Sequence, residues 1–541
     1  MKLLLSLGAN WKSGLTVALV SIPLSVSLAV ASHASPVMGI VTAIWAGLIA
    51  SLFGGSNYNV VGPTGALSGI LAAYAMLHGA QTFPMLAIIA GVLIGISYFF
   101  HLERYLVFVP GSAIHGFTLG VAFIIGLNQL NFALGLVGLP GHEKFIENVF
   151  ESLKNLPAIS LTATGVFLIA FFLLFFFKKF TPRFPGAILV APLGILFGWL
   201  NGTGIISLSL PTLYMLYPDI HLELLLPHVV SITASMWSSA FAIALVAILE
   251  TMISAKIADG MTGTNHHKQN EMRGLALANI ASGIMGGMPA TAALARTSLN
   301  VKTGATSKIS ATISSGCIAI ISILLLNYYR FIPLAVIAAI LVYVSVQMVE
   351  REHFARMWKY DKKNWIIALM VALVTIFIDP IFGILFGVGV SCLLLLERLS
   401  RGQFDLVMND AKHHIIGRAS GESFKKLLEG SDTVVYSIKG LLCSLNSEAH
   451  LERFRNHFTQ SHNIILRLRS VYYIDIDGIE AIDEIIRSVQ VQGKNIYLTS
   501  VSPIIEELLK QSTAYRQLKH EGKVFQKSID ALRYLGFTLP H

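Results

Sequence analysis

Charge is what this chain has least of. Asp, Glu, Lys and Arg make up 13% of its 541 residues, while apolar residues make up 54%; an ordinary soluble domain is roughly a quarter charged. A sequence so poor in charge cannot cover a globular surface with solvated groups, so most of it must face lipid. Cysteine is equally scarce: Cys317, Cys392 and Cys443 are the three present. Their odd number and wide spacing exclude a disulfide framework and a cysteine zinc site. Basic residues outnumber acidic ones, 39 to 30, for a formal net charge of +9. They form no arm or stripe with interleaved aromatics, so no nucleic-acid partner is expected. No nucleophile–base set and no phosphate loop appears, which argues against a soluble enzyme and gives no reason to expect a cofactor. The opening MKLLLSLGANWK is not read as a signal peptide, because the apolar run after Lys12 continues too long. It reads as a short amphipathic lead-in to a first membrane span.

What the chain does have is a succession of apolar stretches from Ser13 to about Leu399, most near the ~20 residues that cross a bilayer as a helix. The expected spans are 13–32, 36–54, 60–78, 84–100, 108–128, 158–178, 185–200, 231–256, 272–286, 290–306, 308–328, 331–350, 364–379 and 381–398. That is fourteen, or seven plus seven, and an odd number per half makes the two repeats (about 13–200 and 231–399) inverted. The third and tenth spans, equivalent in the two halves, are each interrupted by a proline among small residues: Val61-Gly62-Pro63-Thr64-Gly65 and Gly287-Met288-Pro289-Ala290-Thr291. A helix that starts part-way through a bilayer leaves its first N–H groups unpaired, which is tolerated only where they line a cavity or meet a ligand. Two such half-helices aim positive ends at one central site, as in transporters built from repeats, and the ligand they suit is an anion. Pro63 and Pro289 are expected in the first turns of these helices, where a missing N–H is harmless.

Positive residues test the topology independently. With the N-terminus cytoplasmic, eighteen Lys and Arg, among them Lys178, Lys179 and Arg183, fall in inside segments, against Lys144, Lys154 and Arg330 outside. That asymmetry predicts a multi-pass protein of the cell membrane with both termini cytoplasmic. After Gly402 the composition becomes that of a soluble domain. Strand-like runs at 433–442, 463–471 and 495–501 alternate with amphipathic helical patterns at 447–460, 478–492, 503–511 and 528–536, which predicts an α/β sandwich. The division is thus a transmembrane domain at 1–402 and a cytoplasmic domain at 403–541.

Within the spans, Glu250 follows the apolar run Ala240–Leu249. An intramembrane carboxylate marks a functional site by default, with a structural ion pair as the bland alternative. Arg296 lies in the first turns of the tenth half-helix, the wrong end for a cation in the helix dipole. An anion beside it would relieve that mismatch, and its planar fork suits bicarbonate, sulfate or carboxylate oxygens. Pairing with Glu250 or with backbone carbonyls is the alternative. Thr64, Ser68 and Thr291 offer hydroxyls to a ligand or, equally, to their own helices. His266-His267 reads as an exposed loop rather than a metal pair, since no third ligand is near in sequence. In the tail, Asp475 and Asp477 open a helix and read as caps.

Taken together, Ser21-Ile22-Pro23, Gly62-Pro63-Thr64-Gly65, Ile248-Leu249-Glu250-Thr251-Met252-Ile253-Ser254 with Ala258-Asp259-Gly260, and Met288-Pro289 through Arg296 resemble, in order and spacing, the sulfate permease (SulP) family of anion transporters. The tail is similar to the STAS fold of that family. The resemblance covers essentially the whole chain. It implies fourteen spans in an inverted repeat with core and gate subdomains, and a substrate site between the third and tenth half-helices lined by the first and eighth spans. By position, Leu28, Thr64, Gly65, Ala295 and Arg296 would meet the substrate, and Glu250 and Ser254 would take a coupling ion. Some relatives carry an aromatic residue at the positions of Leu28 and Thr64. Sodium-coupled bicarbonate carriers of the family have Asp at the position of Glu250 and Thr near that of Ser254, so sodium and proton both stand as coupling ions. The STAS phosphorylation switch has a Ser or Thr where Asp477 stands, which favours docking or dimer packing for this tail. The expectation is secondary transport of a small inorganic or carboxylate anion by alternating access, as a homodimer in a lipid bilayer. Sodium- or proton-coupled symport is the expected mode; an anion channel or uncoupled anion exchanger and, more remotely, a nucleobase permease are the alternatives.

Overall fold

The computed structural model describes residues 2–140, 142, 145–180, 186–206, 208–218, 233–378, 380–420, 431–458 and 461–537. Lys144 and Arg183, counted in the charge asymmetry, lie outside these residues, as do the expected element limits at 185, 231, 379 and 460. The chain divides into two compact units, Met1–Val390 and Ser391–His541.

Each of the fourteen apolar stretches coincides with a helix: α1 (Lys2–Ala31), α2 (Pro36–Phe53), α3 (Gly65–His78), α4 (Phe83–Phe99), α5 (Gly111–Leu127), α6 (Leu161–Phe180), α7 (Ala187–Gly202), α8 (Ala234–Thr262), α9 (Lys268–Ile284), α10 (Leu294–Lys302), α11 (Ile309–Tyr329), α12 (Leu334–Met348), α13 (Lys362–Phe377) and α14 (Pro380–Ser400). Among the described residues nine helices are long and apolar enough to cross a membrane alone. Caps set several starts: Ser35 accepts from Met38 N with Pro36 in the first turn of α2, Thr233 accepts from Met236 N at α8, and Asp361 accepts from Asn364 N at α13.

Packing sorts the helices into two groups. α1–α4 pack with α8–α11, and α5–α7 pack with α12 and α13, while Gly387 of α14 lies against Val371 of α13 and Ala113 of α5. Small residues permit the approach within each group. A Cβ on Gly91 of α4 would come within 2.9 Å of Ala276 O on α9, and one on Gly116 of α5 within 2.9 Å of Ala368 Cα on α13. The groups meet where α3 touches α5 and where α1 touches α7 and α12.

Four expectations are corrected. The opening segment is no separate lead-in, because α1 runs unbroken for 30 residues from Lys2. The tenth span contains a helix of only nine residues. Neither Pro63 nor Pro289 sits in a helical first turn, since α3 starts at Gly65 and α10 at Leu294. The His266-His267 loop is exposed at His267, which caps α9 by accepting from Asn270 N, but half-buried at His266, whose Nδ1 lies 2.7 Å from Asp259 Oδ2.

In the C-terminal unit six strands, β3 (Gln403–Asn409), β4 (Ile415–Ser420), β5 (Thr433–Leu442), β6 (Asn463–Ile474), β7 (Asn495–Thr499) and β8 (Val524–Phe525), form one sheet in the order β4-β3-β5-β6-β7-β8. β5 to β8 are parallel, and β3 and β4 add an antiparallel edge. Side chains alternate between faces as a pleated strand requires. Tyr436, Leu466 and Leu498 pack under α15 (Ser447–His457), α16 (Ile476–Val491), α17 (Pro503–Leu509) and α18 (Thr513–His520), whereas Val435, Ile465 and Tyr497 pack against α19 (Ser528–Tyr534). Asp475 caps α16 by accepting from Gly478 N at 2.9 Å.

Candidate functional site

The two interrupted segments meet. Before α3 the chain forms β1 (Val61–Gly62), before α10 it forms β2 (Thr291–Ala292), and the two pair antiparallel, Val61 opposite Ala292 and Gly62 opposite Thr291. Short strand pairing satisfies backbone groups that no helix covers inside an apolar domain. Because the pair is antiparallel, α3 and α10 leave it in opposite directions and their N-terminal ends stay close. Neither end is capped by a side chain: Thr64 and Ala293 occupy the cap positions without a capping hydrogen bond. The first-turn N–H groups of both helices therefore lack the usual acceptor.

Buried polar side chains hold the irregular segments. Asn279 of α9 reads Ala290 like a strand neighbour, accepting from its N at 2.9 Å and donating to its O at 3.0 Å. Thr42 accepts from Met288 N at 2.7 Å, and Ser282 donates to Met288 O at 2.7 Å. On the other side, Thr297 accepts from Val60 N and Asn300 donates to Tyr58 O, at 3.1 and 2.9 Å. Glu271, 4% exposed, accepts from Gly55 N, Ser56 N and Asn59 Nδ2 at 2.6, 2.7 and 2.6 Å. The expected site residues included none of these. Polar residues inside or beside apolar spans were the signal for them, but most of their partners, such as Met288 for Thr42 and Gly55 for Glu271, lie more than 200 residues away.

At the crossing, Thr64 Oγ1 donates to Glu250 Oε2 at 3.0 Å. Arg296, only 2% exposed, donates from one terminal nitrogen to Pro63 O, while its other, Nη1, is buried with no hydrogen-bond partner among the described residues. Gly62 makes room for that nitrogen, since a Cβ there would lie 2.8 Å from Nη1. Among the described residues no salt bridge joins Glu250 to Arg296 within 4.0 Å. A guanidinium fork with one arm tied to backbone and one unpaired, beside two uncapped helix starts, can hold an oxyanion through charge-assisted bonds.

The other expected residues divide. Gly65 opens α3 where Ile125 of α5 and Met348 of α12 close in, a Cβ there reaching them at 2.9 and 3.0 Å. Ala295 is exposed at the start of α10, and Leu28 is buried in α1, which touches α3 and α10. Ser254, one turn beyond Glu250, is buried, and its Oγ has no hydrogen-bond partner among the described residues. Two hydroxyls are turned away from a ligand role. Thr291 is fully buried, donates to Ala247 O at 3.0 Å and shares a 3.0 Å bond with Thr251, so it fixes β2 to α8. Ser68 bonds back to Gly65 O at 2.8 Å. Ile125 and Met348, which adjoin the site from the other helix group, carry no sequence signal because any apolar residue in a span looks alike.

The Sulfate permease family model matches residues 7–371, and the STAS domain model matches residues 425–531. YvdB of Bacillus subtilis, whose name assigns it provisionally to sulfate transport, is 28% identical over 515 residues, covering 94% of each chain. Bicarbonate transporter BicA of Picosynechococcus is 24% identical over 532 residues, covering 93% of this chain and 90% of BicA. The fold is similar to that of murine Slc26a9 in its inward-facing state, with a TM-score of 0.80 at 16% identity over 97% of this chain and 91% of that one. It is also similar to the transmembrane domain of a cyanobacterial BicA, with a TM-score of 0.62 at 22% identity over 70% of this chain and 97% of that one. With the family model spanning well over half of the sequence and the STAS model lying behind it, this chain belongs to the sulfate permease family of transporters.

Proposed function

We propose that this protein is a secondary active transporter of a small anion, with bicarbonate, sulfate and dicarboxylates as the candidate substrates, and that it works by alternating access. The observation that carries the reading is the pair of uncapped helix starts at the β1–β2 crossing with Arg296 Nη1 buried beside them and unpartnered. An anion seated there would accept from first-turn N–H groups of α3 and α10 and from the free arm of the guanidinium. The family relationship and the relatives named for sulfate and bicarbonate support the same class of substrate. Thr64 and Gly65 would meet the anion from α3, Ala295 and Arg296 from α10, and Leu28 would limit the pocket from α1.

Glu250 is the proposed coupling residue, with Ser254 beside it. Its carboxylate is tied to the anion side through the Thr64 hydroxyl, so sodium binding or protonation at Glu250 alters how Thr64 is held when the anion arrives. The two helix groups provide the moving parts: α1–α4 with α8–α11 carry the site, and α5–α7 with α12–α14 form the gate past which it moves. We assign the protein to the cell membrane with both termini cytoplasmic, on the charge asymmetry of its loops, and, on its family resemblance, read it as a homodimer in which the STAS domain takes part in dimer packing or docking. The test is uptake of labelled bicarbonate, sulfate and succinate into liposomes containing the purified protein, with sodium or proton gradients imposed. Accumulation of one anion above equilibrium, driven by one gradient, supports the reading. Flux that only dissipates the anion's own gradient, as through a channel, overturns it.

A further inference from the structure

A second constellation of ligating side chains lies away from the crossing, in the other helix group. His115 stands near the start of α5, Glu350 follows α12, and His353 lies in the short helix Arg351–Tyr360 that leads to α13. One donor atom from each of the three falls within 4.8 Å of the others. His115 Nδ1 is 2.7 Å and His353 Nδ1 3.5 Å from the same oxygen, Glu350 Oε2. Tetrahedral ligands about 2.0 Å from a zinc-like ion stand roughly 3.3 Å apart, which falls between the 2.7 and 3.5 Å separations here.

The simpler reading is a structural ion pair, and two features count against it. His115 Nδ1 and Glu350 Oε2 are buried and at ion-pair distance, 2.7 Å, but their approach is poorly aligned for a hydrogen bond. Close approach at a poor bonding angle leaves lone pairs on both atoms available to a shared ion. In addition, Glu350 occupies the N-cap position of the helix Arg351–Tyr360 without making a capping hydrogen bond, so the local role open to a carboxylate there is not used. Its side chain is turned to the two imidazoles, whose rings lie 4.5 Å apart at 31°.

We propose that His115, Glu350 and His353 form a binding site for a divalent transition-metal ion of the zinc type. Two imidazoles and one carboxylate are a nitrogen-rich donor set that selects zinc, cobalt, nickel or copper over magnesium or calcium. Three protein ligands leave a fourth position for water. All three side chains retain solvent access, at 19%, 30% and 50% exposure, so an ion can enter. Bound there, it ties the start of α5 to the connection between α12 and α13 without touching any residue at the β1–β2 crossing. One cation competes: Arg356 places a guanidinium nitrogen 3.5 Å from His353 Nδ1.

The test titrates the full-length protein, stripped with a chelator, with Co²⁺ followed by its visible absorption and with Zn²⁺ as competitor. One ion per chain with a coordinated-cobalt spectrum is expected. His353→Ala and Glu350→Gln, both at accessible positions, should each weaken binding by more than tenfold and His115→Ala by at least as much. Arg356→Ala should tighten it severalfold, which a site elsewhere would not show. Absence of stoichiometric uptake, or unchanged binding in His353→Ala and Glu350→Gln, overturns the proposal.

Discussion

Removing the Arg296 side chain is the perturbation whose outcome the structure constrains most. The guanidinium has one terminal nitrogen bonded to Pro63 O and the other buried without a partner. A hydrogen bond to a charged group contributes about 1.5–3 kcal/mol, and each 1.4 kcal/mol is a tenfold change in affinity. Arg296→Ala should therefore weaken anion binding by roughly 10- to 150-fold. Arg296→Lys should recover part of this, keeping the charge but losing the fork. Loss of fold would mimic loss of binding, and stability in the absence of anion separates them. Keeping a buried charge with one arm unpaired costs free energy, so the melting temperature of Arg296→Met without anion should change little. The stabilisation that saturating anion gives the parent protein should vanish in the same variant. Gly62→Ala reaches the same group from the other side, because its Cβ would lie 2.8 Å from Arg296 Nη1. It should lower affinity by displacing the guanidinium. Equal anion affinity and equal anion-dependent stabilisation in parent and Arg296→Ala would refute the reasoning.

Three further outcomes are expected. Glu250→Gln should fold and still exchange anion across the membrane but no longer accumulate it against a gradient; full gradient-driven uptake with unchanged sodium and pH dependence would place coupling elsewhere. In the C-terminal unit, burial and the nearby Arg453 charge lower His450 from the ordinary 6.5 to about 3. Above pH 6.5 neither folded nor unfolded chain protonates it. Below that, only the unfolded chain does, so stability should decline by about 1.4 kcal/mol per pH unit toward pH 3. Hydrogen exchange of β5 and α15 in the intact protein at pH 7 and pH 5 measures this, and His450→Gln, which retains a partner for the Tyr436 hydroxyl, should flatten the slope. Deleting residues 403–541 should leave the order of anion preference unchanged while altering rate, dimer stability or abundance in the membrane, and a reordered preference in reconstituted protein would show that the tail shapes the site.

Much of the fold was legible because the bilayer enforces it. A span must be apolar and about 20 residues long, so length and hydropathy alone locate α1, α2, α6 or α11, and proline among small residues flags the breaks at Pro63 and Pro289. The parallel strands β5, β6 and β7 showed as apolar runs between amphipathic helices. What the sequence hid was long-range pairing. α10 starts at Leu294 rather than at Pro289 because residues 291–292 pair with residues 61–62 as strands, a partnership no local propensity encodes. The same holds for Thr291, whose hydroxyl looked free for a ligand but finds Ala247 O and Thr251. It holds for Asn279 too, whose amide serves Ala290. In the tail, Phe404, Leu406 and Met408 alternate as a strand should, yet β3 and β4 were not expected so close behind the last span. At the site, the odd placement of Arg296 near a helix start was readable from sequence, whereas its one tied and one free arm depends on where Pro63 O falls.

The central claim is that a substrate anion sits between the N-terminal ends of α3 and α10, and occupancy can be measured directly. Ala295 is exposed at the start of α10, so Ala295→Cys, with Cys317, Cys392 and Cys443 replaced by serine, offers a single thiol at that place. Its rate of alkylation by a small charged reagent, measured in liposomes against rising concentrations of the transported anion, should fall, with half-protection near the concentration that half-saturates transport. Adding Arg296→Ala should shift that protection to at least tenfold higher concentration. Alkylation that is indifferent to the anion at concentrations saturating transport would contradict the account.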